Sequence, residues 1–336
     1  MKIGYIIDDG FSIPCGVSIY SLLSNNIHLK DIELFILDDG ICDISKKRLL
    51  DISNQFNRKL DFIDVKIIKQ ILLETTNYNW HGSYSTYIRL MLNSLFPDSN
   101  ETIIMIDADT IINGKVDELY NFDLQGNPCA MALEAMPLSY YKHSGLGLNE
   151  LINGGLLIVN LEKWKEFDVE NKIIEYLKNI REKNMLTDED VLSVILKGKI
   201  TRIPVYLNYL SQYYWYTSKF YYRFFGWDKL YEAKAFYSLS ELIEAKDKAI
   251  IYHCIDGFTN RPWHRNNIHP YTKLYDNYLY ETPWKEETKI IRSNSFTSKI
   301  EIFLRRILPK ALSDFYYACA VRLYYGIRAK IYYKKK

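Results

Sequence analysis

The stretch ETIIMIDADT at residues 101–110 decides the fold class of this 336-residue chain. Its mostly apolar first part, up to Ile106, predicts a central strand buried on both faces, because half-exposed strands alternate apolar and polar residues. Asp107 and Asp109 follow at the carboxyl end of that strand. Ligands of open α/β sheets bind outside the carboxyl ends of the strands, so this position favours a functional site.

Further short apolar segments precede and follow this strand, and helical patterns separate them. The predicted strands are 2–8, 32–37, 60–65 and 156–161, and the predicted helices are 15–23, 45–56, 84–96 and 189–196. Strands that alternate with helices predict an α/β fold, with a Rossmann-like and mostly parallel sheet flanked by helices.

The composition is that of a globular protein and excludes several classes. With 48% hydrophobic residues, 15 Gly and 9 Pro, the chain is neither disordered nor collagen-like. No apolar run approaches the roughly 20 residues of a membrane-spanning helix. Five scattered cysteines without a C-x-x-C pair argue against a disulfide framework. Acidic residues come too early for a signal peptide, so we expect a cytoplasmic protein.

The two carboxylates after the central strand predict a metal site. In an extended segment, side chains at i and i+2 share a face, so Asp107 and Asp109 can converge on one cation. Hard oxygen ligands suit Mg²⁺ or Mn²⁺. One alternative is a polar strand end with an Asx-turn. Another is the phosphoryl nucleophile of haloacid-dehalogenase phosphatases, which about a hundred preceding residues disfavour because that family carries its motif near the N-terminus.

Several motifs occur along the chain in a consistent order. They are the opening strand with Asp8-Asp9, SYSTYIRL at 83–90, MIDADT at 105–110, INGGLLIVNL at 152–161, TDEDVL at 187–192, and His253 followed by RPWH at 261–264. With these motifs the chain resembles glycosyltransferase family 8, in particular the bacterial lipopolysaccharide galactosyl- and glucosyltransferases, from Ile3 to about Pro270. The resemblance implies a GT-A fold, in which a Rossmann-like nucleotide-binding half is merged with an acceptor-binding half.

The resemblance also implies the metal ligands, which would be Asp107, Asp109 and His253. An imidazole beside two carboxylates favours Mn²⁺, with Mg²⁺ as the alternative. Taken alone, a histidine near a strand end is more often a hydrogen-bonded structural residue.

A UDP-sugar is the donor that the resemblance implies. Asp8 would accept a hydrogen bond from the uracil ring, with Ile6, Ile7 and Phe11 as apolar walls. Arg261 stands where the family usually has lysine, and its spacing from His253 is two residues longer than in the family. The donor-binding candidates are Ile7, Asp8, His81, Arg89, Asp107, Ala108, Asp109, Asn153, Gly154, Asp188, Glu189, Gly257 and Arg261.

Two acidic residues are the catalytic candidates. Asp188 matches the family's ligand for sugar hydroxyls, and Glu189 stands where the family often has glutamine. A carboxylate can stabilise an oxocarbenium-like state or attack it as a nucleophile, and both roles stay open for Glu189. A third interpretation is a charge that merely favours the start of a helix. Glu134 matches a position near the acceptor.

The C-terminal segment is strongly basic and aromatic. Residues 296–336 contain ten Lys or Arg, two acidic residues and nine aromatic residues. Such a segment is typical of a peripheral membrane helix on anionic lipid. A helix docked on the domain with a solvated basic face is the alternative, and single-stranded nucleic acid, which we do not expect as a partner, is a third. All candidate site residues lie before Pro270, so catalysis is expected to be independent of the tail.

We therefore expect a GT-A catalytic domain over 1–285 and a membrane-associating segment over 286–336. The expected function is retaining, metal-dependent transfer of galactose or glucose from a UDP-sugar to a lipopolysaccharide or oligosaccharide acceptor, at the inner face of the cell membrane. One alternative is a relative that glycosylates a protein or another glycan. A non-catalytic sugar-binding scaffold on the same fold is the other.

Overall fold

The computed structural model describes residues 1–76, 84–143, 150–179, 187–255, 260–291 and 296–333. Ten strands form two sheets in these residues: β1 Lys2–Ile7, β2 Glu33–Asp38, β3 Leu60–Asp64, β4 Thr102–Ile106, β5 Thr110–Ile112, β6 Cys129–Leu133, β7 Ile152–Asn160, β8 Ile200–Arg202, β9 Tyr209–Leu210 and β10 Ile251–His253.

The helices are α1 Ser12–Asn25, α2 Asp43–Gln55, α3 Lys66–Thr75, α4 Ser85–Ile88, α5 Leu92–Leu95, α6 Leu138–His143, α7 Leu161–Glu166, α8 Val169–Asn179, α9 Asp188–Ile195, α10 Ser211–Tyr216, α11 Lys219–Phe224, α12 Trp227–Glu232, α13 Leu239–Lys248, α14 Thr272–Leu279, α15 Phe296–Ile307 and α16 Lys310–Tyr333. Short 3₁₀ turns lie at Asp9–Phe11, Asp117–Leu119 and Val205–Leu207. No helix among the described residues is long and apolar enough to cross a membrane.

The main sheet has seven strands in the order β3-β2-β1-β4-β7-β6-β8. All of them run in one direction except β7, which is antiparallel to both of its neighbours. The strand β4 lies in the middle and buries Ile103, Ile104, Met105 and Ile106. Two hydrophobic cores contain residues of this sheet. The predicted α/β class, with a mostly parallel sheet flanked by helices, is confirmed.

A smaller sheet continues from the end of β4. Its order is β5-β10-β9, and β10 is antiparallel to β5 with His253 opposite Thr110. The residues Asp107 to Asp109 form the turn that joins β4 in the first sheet to β5 in the second. They are therefore not an extended segment, and Asp107 and Asp109 do not share a face by strand alternation. The register of β10 against β5 instead brings His253 close to them.

The helix predicted over 84–96 is wrong as a single element, because the chain forms α4 and α5 with a turn between them. Two tertiary contacts stabilise the break. The indole of Trp164 donates to the carbonyl of Leu90, and the carboxylate of Glu170 accepts hydrogen bonds from the backbone N–H groups of Asn93 and Ser94. The turn directs Arg89 towards the carboxyl end of β4, where it meets Asp107.

The two C-terminal helices pack against the rest of the chain. A buried ion pair joins Arg305 in α15 to Asp314 in α16 at 3.2 Å. The guanidinium of Arg305 lies 4.3 Å from the ring centroids of both Trp215 in α10 and Tyr317 in α16. The helix α16 also packs along α6. One face of α16 is thus part of the protein interior.

Candidate functional site

A cavity of about 540 Å³ opens at the carboxyl ends of the central strands. Asp8 and Phe11 line it beyond β1, Asp107 and Asp109 beyond β4, and Glu134 beyond β6. Because β4 and β7 separate β1 from β6, and neighbouring strands lie about 4.8 Å apart, the cavity spans about 14 Å across the sheet edge. This volume is in the usual range for small-molecule sites, roughly 300–1,000 Å³.

Asp107, Asp109 and His253 meet at the centre of this cavity. One ligand atom from each lies within 4.8 Å of the others. The Nε2 atom of His253 lies 3.1 Å from Oδ1 of Asp109 and 3.7 Å from Oδ2 of Asp107. Ligands about 2.1 Å from one octahedral ion lie about 3 Å apart when they are adjacent, so the three groups have the spacing of a cation site.

Asn153 determines which nitrogen of His253 carries the proton. The amide nitrogen of Asn153 donates to Glu134 at 2.7 Å, and its oxygen accepts from the backbone N–H of Gly155 at 3.0 Å. The same oxygen lies 3.0 Å from Nδ1 of His253. Because an amide oxygen only accepts, Nδ1 must carry a proton. In the neutral ring, the lone pair of Nε2 then faces the two carboxylates, an arrangement that a cation stabilises.

The pKa values of the three groups shift in different directions, and of the two carboxyl groups only Asp107 lacks sufficient compensating positive charge. Burial raises the pKa of Asp107 above its ordinary value, because Arg89 and His253 offset only part of it. Burial acts on Asp109 too, but His253 and Arg261 more than compensate and hold its pKa below the ordinary value. Burial lowers the pKa of His253, yet Asp109 and Asp107 raise it further, so the net shift is upward.

The described residues that line the cavity carry an excess of acidic groups. Six carboxyl groups face two guanidinium groups and one imidazole. An anionic ligand such as a diphosphate would meet strong repulsion here unless a divalent cation came with it. Two carboxylates and an imidazole are hard to borderline donors that suit Mn²⁺ or Mg²⁺. The residues therefore fit the predicted metal, whose identity stays a prediction.

Arg89 is buried between the metal candidates and α9. Its Nε donates to Asp188 at 2.7 Å, and Nη1 donates to the carbonyl oxygen of Gly154 at 3.1 Å and to Asp107. A Cβ at Gly154 would overlap the guanidinium, and one at Gly155 would overlap the ring of His253. The two glycines lie where the β6–β7 ladder shifts register. Their missing side chains let Arg89 and His253 approach the backbone of β7.

Glu189 and Glu134 are two further buried carboxyl groups of the cavity whose pKa values are raised. Burial, Asp188 and Glu134 raise the pKa of Glu189 well above its ordinary value, against Arg89 and a 2.6 Å hydrogen bond from the backbone N–H of Gly154. Burial likewise raises the pKa of Glu134, which is hydrogen-bonded to Asn153 and to the N–H of Ala135. Raised carboxyl pKa values in a cleft are typical of functional sites.

Arg261 brings a cation to the β1 end of the cavity. Its guanidinium lies 5.3 Å from the ring centroids of both Phe11 and Trp263, and Nη2 lies 3.2 Å from Asp109. Its Nε is buried without a hydrogen-bond partner among the residues that the structure describes. The two rings hold the guanidinium beside the metal candidates, with a donor available for an anion.

The structure brings nearly all of the predicted site residues together. Of the donor-binding, catalytic, metal and acceptor candidates, those that line the cavity are Ile7, Asp8, Arg89, Asp107, Ala108, Asp109, Glu134, Asn153, Asp188, Glu189, His253 and Arg261. Gly154 contributes its backbone to Arg89 and Glu189. His81 and Gly257 lie outside the described residues.

Sequence reasoning missed several lining residues: Ser85, Thr86, Met136, Thr187, Gln212, Ile255 and Tyr325. Thr187 caps α9 and so fixes the position of Asp188 and Glu189, a role that the T-x-x-D pattern signals. Tyr325 comes from the C-terminal segment, whose basic and aromatic residues predict membrane association. One residue after Pro270 therefore lines the cavity, and the independence of catalysis from the tail stays a prediction.

Comparison with known proteins supports the assignment on independent grounds. The sequence profile of Glycosyl transferase family 8 matches residues 2–267. The chain belongs to this family. It is 25% identical to the lipopolysaccharide 1,2-glucosyltransferase of Escherichia coli K12, over 86% of this chain and 80% of that protein. It is 24% identical to the lipopolysaccharide 1,3-galactosyltransferase of Salmonella typhimurium, over 84% and 79%.

The fold of this family 8 chain also matches solved structures. The galactosyltransferase LgtC, solved with donor and acceptor sugar analogues, superposes with a TM-score of 0.65 at 20% identity, over 85% of this chain and 99% of that one. At this identity the likeness shows the fold alone. The fold is of the GT-A type, as predicted.

Proposed function

We propose that this chain is a retaining, metal-dependent hexosyltransferase that moves glucose or galactose from a UDP-sugar to a lipopolysaccharide oligosaccharide. The observation that carries the proposal is the cavity itself, in which Asp107, Asp109 and His253 converge beside Arg89, Asp188 and Glu189. The names of the two bacterial relatives support the acceptor class.

The positions of the residues suggest how the donor lies. Asp8 and Phe11, at the β1 end, would receive the uracil ring, and the central metal site would receive the diphosphate. When bound, the cation would offset the charge that develops on the leaving UDP. Arg261 would share this role, because its guanidinium lines the same region and its buried Nε has no partner among the described residues.

Asp188 and Glu189 would then face the transferred sugar. Asp188 is held by Arg89, and Glu189 by the N–H of Gly154, so both carboxyl groups have fixed positions. We assign Glu189 to electrostatic stabilisation of the oxocarbenium-like state. Attack by the acceptor on the face from which UDP departs would retain the α-configuration.

A panel of UDP-hexoses tests the proposal. With Mn²⁺ and no acceptor, the full chain should slowly hydrolyse UDP-glucose or UDP-galactose, and EDTA should stop the reaction. Proton NMR of the first-formed sugar, in a reaction run with diamagnetic Mg²⁺, should show the α-anomer. Absence of hydrolysis for every UDP-hexose would contradict the proposal and favour the non-catalytic scaffold, and a β-anomer would contradict retention.

We further propose that residues 286–336 associate with an anionic membrane at the cytoplasmic side. The outward face of α15 and α16 exposes apolar side chains beside basic ones. Exposed fractions are 59% for Phe303, 57% for Leu312 and 64% for Leu323. Exposed Arg306 and Arg322 lie on the same two helices. The apolar side chains would be buried in the lipid and the basic ones would be attracted to its anionic headgroups, so both would contribute to membrane binding.

A surface substitution tests this association without disturbing the packed face. Leu323→Ser should reduce cosedimentation with vesicles of phosphatidylglycerol and phosphatidylcholine. Ile67→Ser is the matched control, since Ile67 is 78% exposed but lies on α3, away from the tail. Equal cosedimentation of both variants and the parent protein would contradict the proposed surface.

A further inference from the structure

The C-terminal helix α16 contributes a side chain to the cavity as well as an exposed outer face. Tyr325 lines the cavity together with the catalytic candidates, although more than 60 residues separate it in sequence from Arg261, the last candidate before it. Its ring is partly buried and meets the ring of Tyr140 in α6 edge-on, with centroids 6.1 Å apart.

Helical spacing explains why this residue points inward. Asp314, Ala318 and Val321 precede Tyr325 by eleven, seven and four residues, so the four share one face of α16. Asp314 and Ala318 are buried, and Val321 packs against the main core. The next residue, Tyr324, is 51% exposed. The orientation of Tyr325 is therefore set by the packed face of the helix.

Tyr325 lies at the β6 end of the cavity, opposite the proposed uracil site. It packs in one small apolar cluster with Tyr140 and Met136, and Met136 follows β6 closely in sequence. Asp8 and Phe11 lie beyond β1, at the other end. A donor that fills the β1 end and the centre leaves the β6 end for the second substrate.

A polar side chain lines the cavity at this end. Gln212 lines the cavity, and its buried Oε1 has no hydrogen-bond partner among the described residues. The adjacent Tyr213 donates to the carbonyl of Leu133, the last residue of β6, which places α10 at this end. An unpaired buried acceptor is unfavourable unless a ligand or water satisfies it, and a sugar hydroxyl would do so.

We propose that α16 completes the acceptor site, with Tyr325 as the wall on which a pyranose ring of the acceptor packs and Gln212 as an acceptor for one of its hydroxyls. This inference rests on the proposed function. A pyranose presents an apolar C–H face and equatorial hydroxyls, which match a broad aromatic ring beside a few polar groups. The helix that carries the exposed membrane-facing residues would thus also position the acceptor, so membrane attachment and acceptor recognition share one element.

Saturation-transfer NMR on the full chain with UDP and Mg²⁺, which is diamagnetic and leaves the ligand signals sharp, tests the proposal. The probes are methyl β-galactoside, methyl β-glucoside and lactose, irradiated through the aromatic protons of the protein. We expect strong transfer to the ring protons of at least one glycoside. Tyr325→Ala should weaken that glycoside's affinity about tenfold, and Tyr325→Phe should keep most of it. Tyr316→Ala is the control, because Tyr316 is 47% exposed and lies nine residues before Tyr325, on the opposite side of α16, and it should leave the affinity unchanged.

Donor hydrolysis separates this inference from the proposed function. The parent protein should hydrolyse the UDP-hexose without any glycoside present, because the proposed donor end lies opposite Tyr325. If the parent protein shows no saturation transfer to any probe, or if Tyr325→Ala binds the glycoside normally, the acceptor role is wrong even where hydrolysis proceeds. An equal loss in Tyr316→Ala would also overturn it. If the parent protein hydrolyses no UDP-hexose, the proposed function is refuted instead.

Discussion

Replacing Glu189 by glutamine should stabilise the protein at neutral pH while leaving catalysis measurable. Glutamine has the same shape and keeps an oxygen that can accept the hydrogen bond from Gly154, which measures 2.6 Å. It removes a carboxyl group whose pKa burial, Asp188 and Glu134 raise well above the ordinary value. The substitution thus removes an unfavourable charge without opening a cavity.

The sign of the pH dependence follows from this shift. The folded state binds the proton of Glu189 more tightly than the unfolded state, so the parent protein loses stability as pH rises above the ordinary glutamate pKa of about 4.3. The loss stops where pH passes the folded-state pKa. Within this window the loss is at most about 1.4 kcal/mol per pH unit, so between pH 5 and pH 6.5 it is at most about 2 kcal/mol. At roughly 2 °C per kcal/mol for a chain of this size, Tm should differ by up to about 4 °C.

Thermal unfolding in EDTA at pH 4, 5, 6.5 and 8 measures this difference. The Tm of Glu189→Gln should match that of the parent protein at pH 4 and exceed it increasingly as pH rises. Glu162→Gln is the control, because Glu162 also lies in the first turn of a helix but is exposed. A Tm gain that is largest at pH 4, or a loss at pH 8, would refute the reasoning.

The same variant tests the role of Glu189 in the reaction. If the carboxylate only stabilises charge, Glu189→Gln should keep activity within about a hundredfold and give the same anomer. A nucleophile would lose several orders of magnitude, because an amide does not form the glycosyl-enzyme readily. A sugar covalently trapped on Glu189, found by mass spectrometry, would refute the stabilising role.

Three further substitutions probe the rest of the account. Arg261→Ala should weaken UDP binding about tenfold in calorimetry, because a cation beside the metal site is lost, and an unchanged affinity would contradict this role. Gly154→Ala should destabilise the protein by about 1–3 kcal/mol in urea unfolding and reduce donor hydrolysis, since the new methyl group overlaps Arg89, whereas parental stability would contradict the tight packing. Gly326→Ala should stabilise α16 by up to about 1 kcal/mol, because its Cβ would lie 3.6 Å from Ser139 in ordinary contact, and a drop in Tm would show that the helix packs differently.

The fold was largely predictable because its strands are local, strongly apolar patterns. The segments 2–8, 32–37 and 60–65 correspond to β1, β2 and β3 within one or two residues. The break between α4 and α5 was not predictable, since Trp164 and Glu170, which stabilise it, come from helices more than 60 residues later. Periodicity alone carries no sign of such contacts.

The candidate site, like the fold, was predictable only in part. The position of Asp107 and Asp109 at a strand end follows from the sequence, but their meeting with His253 depends on the register of β10 against β5. Only the family resemblance connected the two. No sequence pattern predicted that Tyr325 lines the cavity, because its position depends on how α16 packs against α6. The basic and aromatic residues around it predicted only membrane association.

The central claim is that Asp107, Asp109 and His253 bind a divalent cation that makes UDP binding possible. Isothermal titration of UDP into the full chain measures this directly, with Mn²⁺ and with EDTA, for the parent protein and for Asp107→Ala and Asp109→Ala. The account predicts UDP binding by the parent protein with Mn²⁺ only, and none by either variant, although both keep the parental circular dichroism spectrum. UDP binding of equal affinity in EDTA, or Mn²⁺-dependent binding retained by a folded variant, would contradict it.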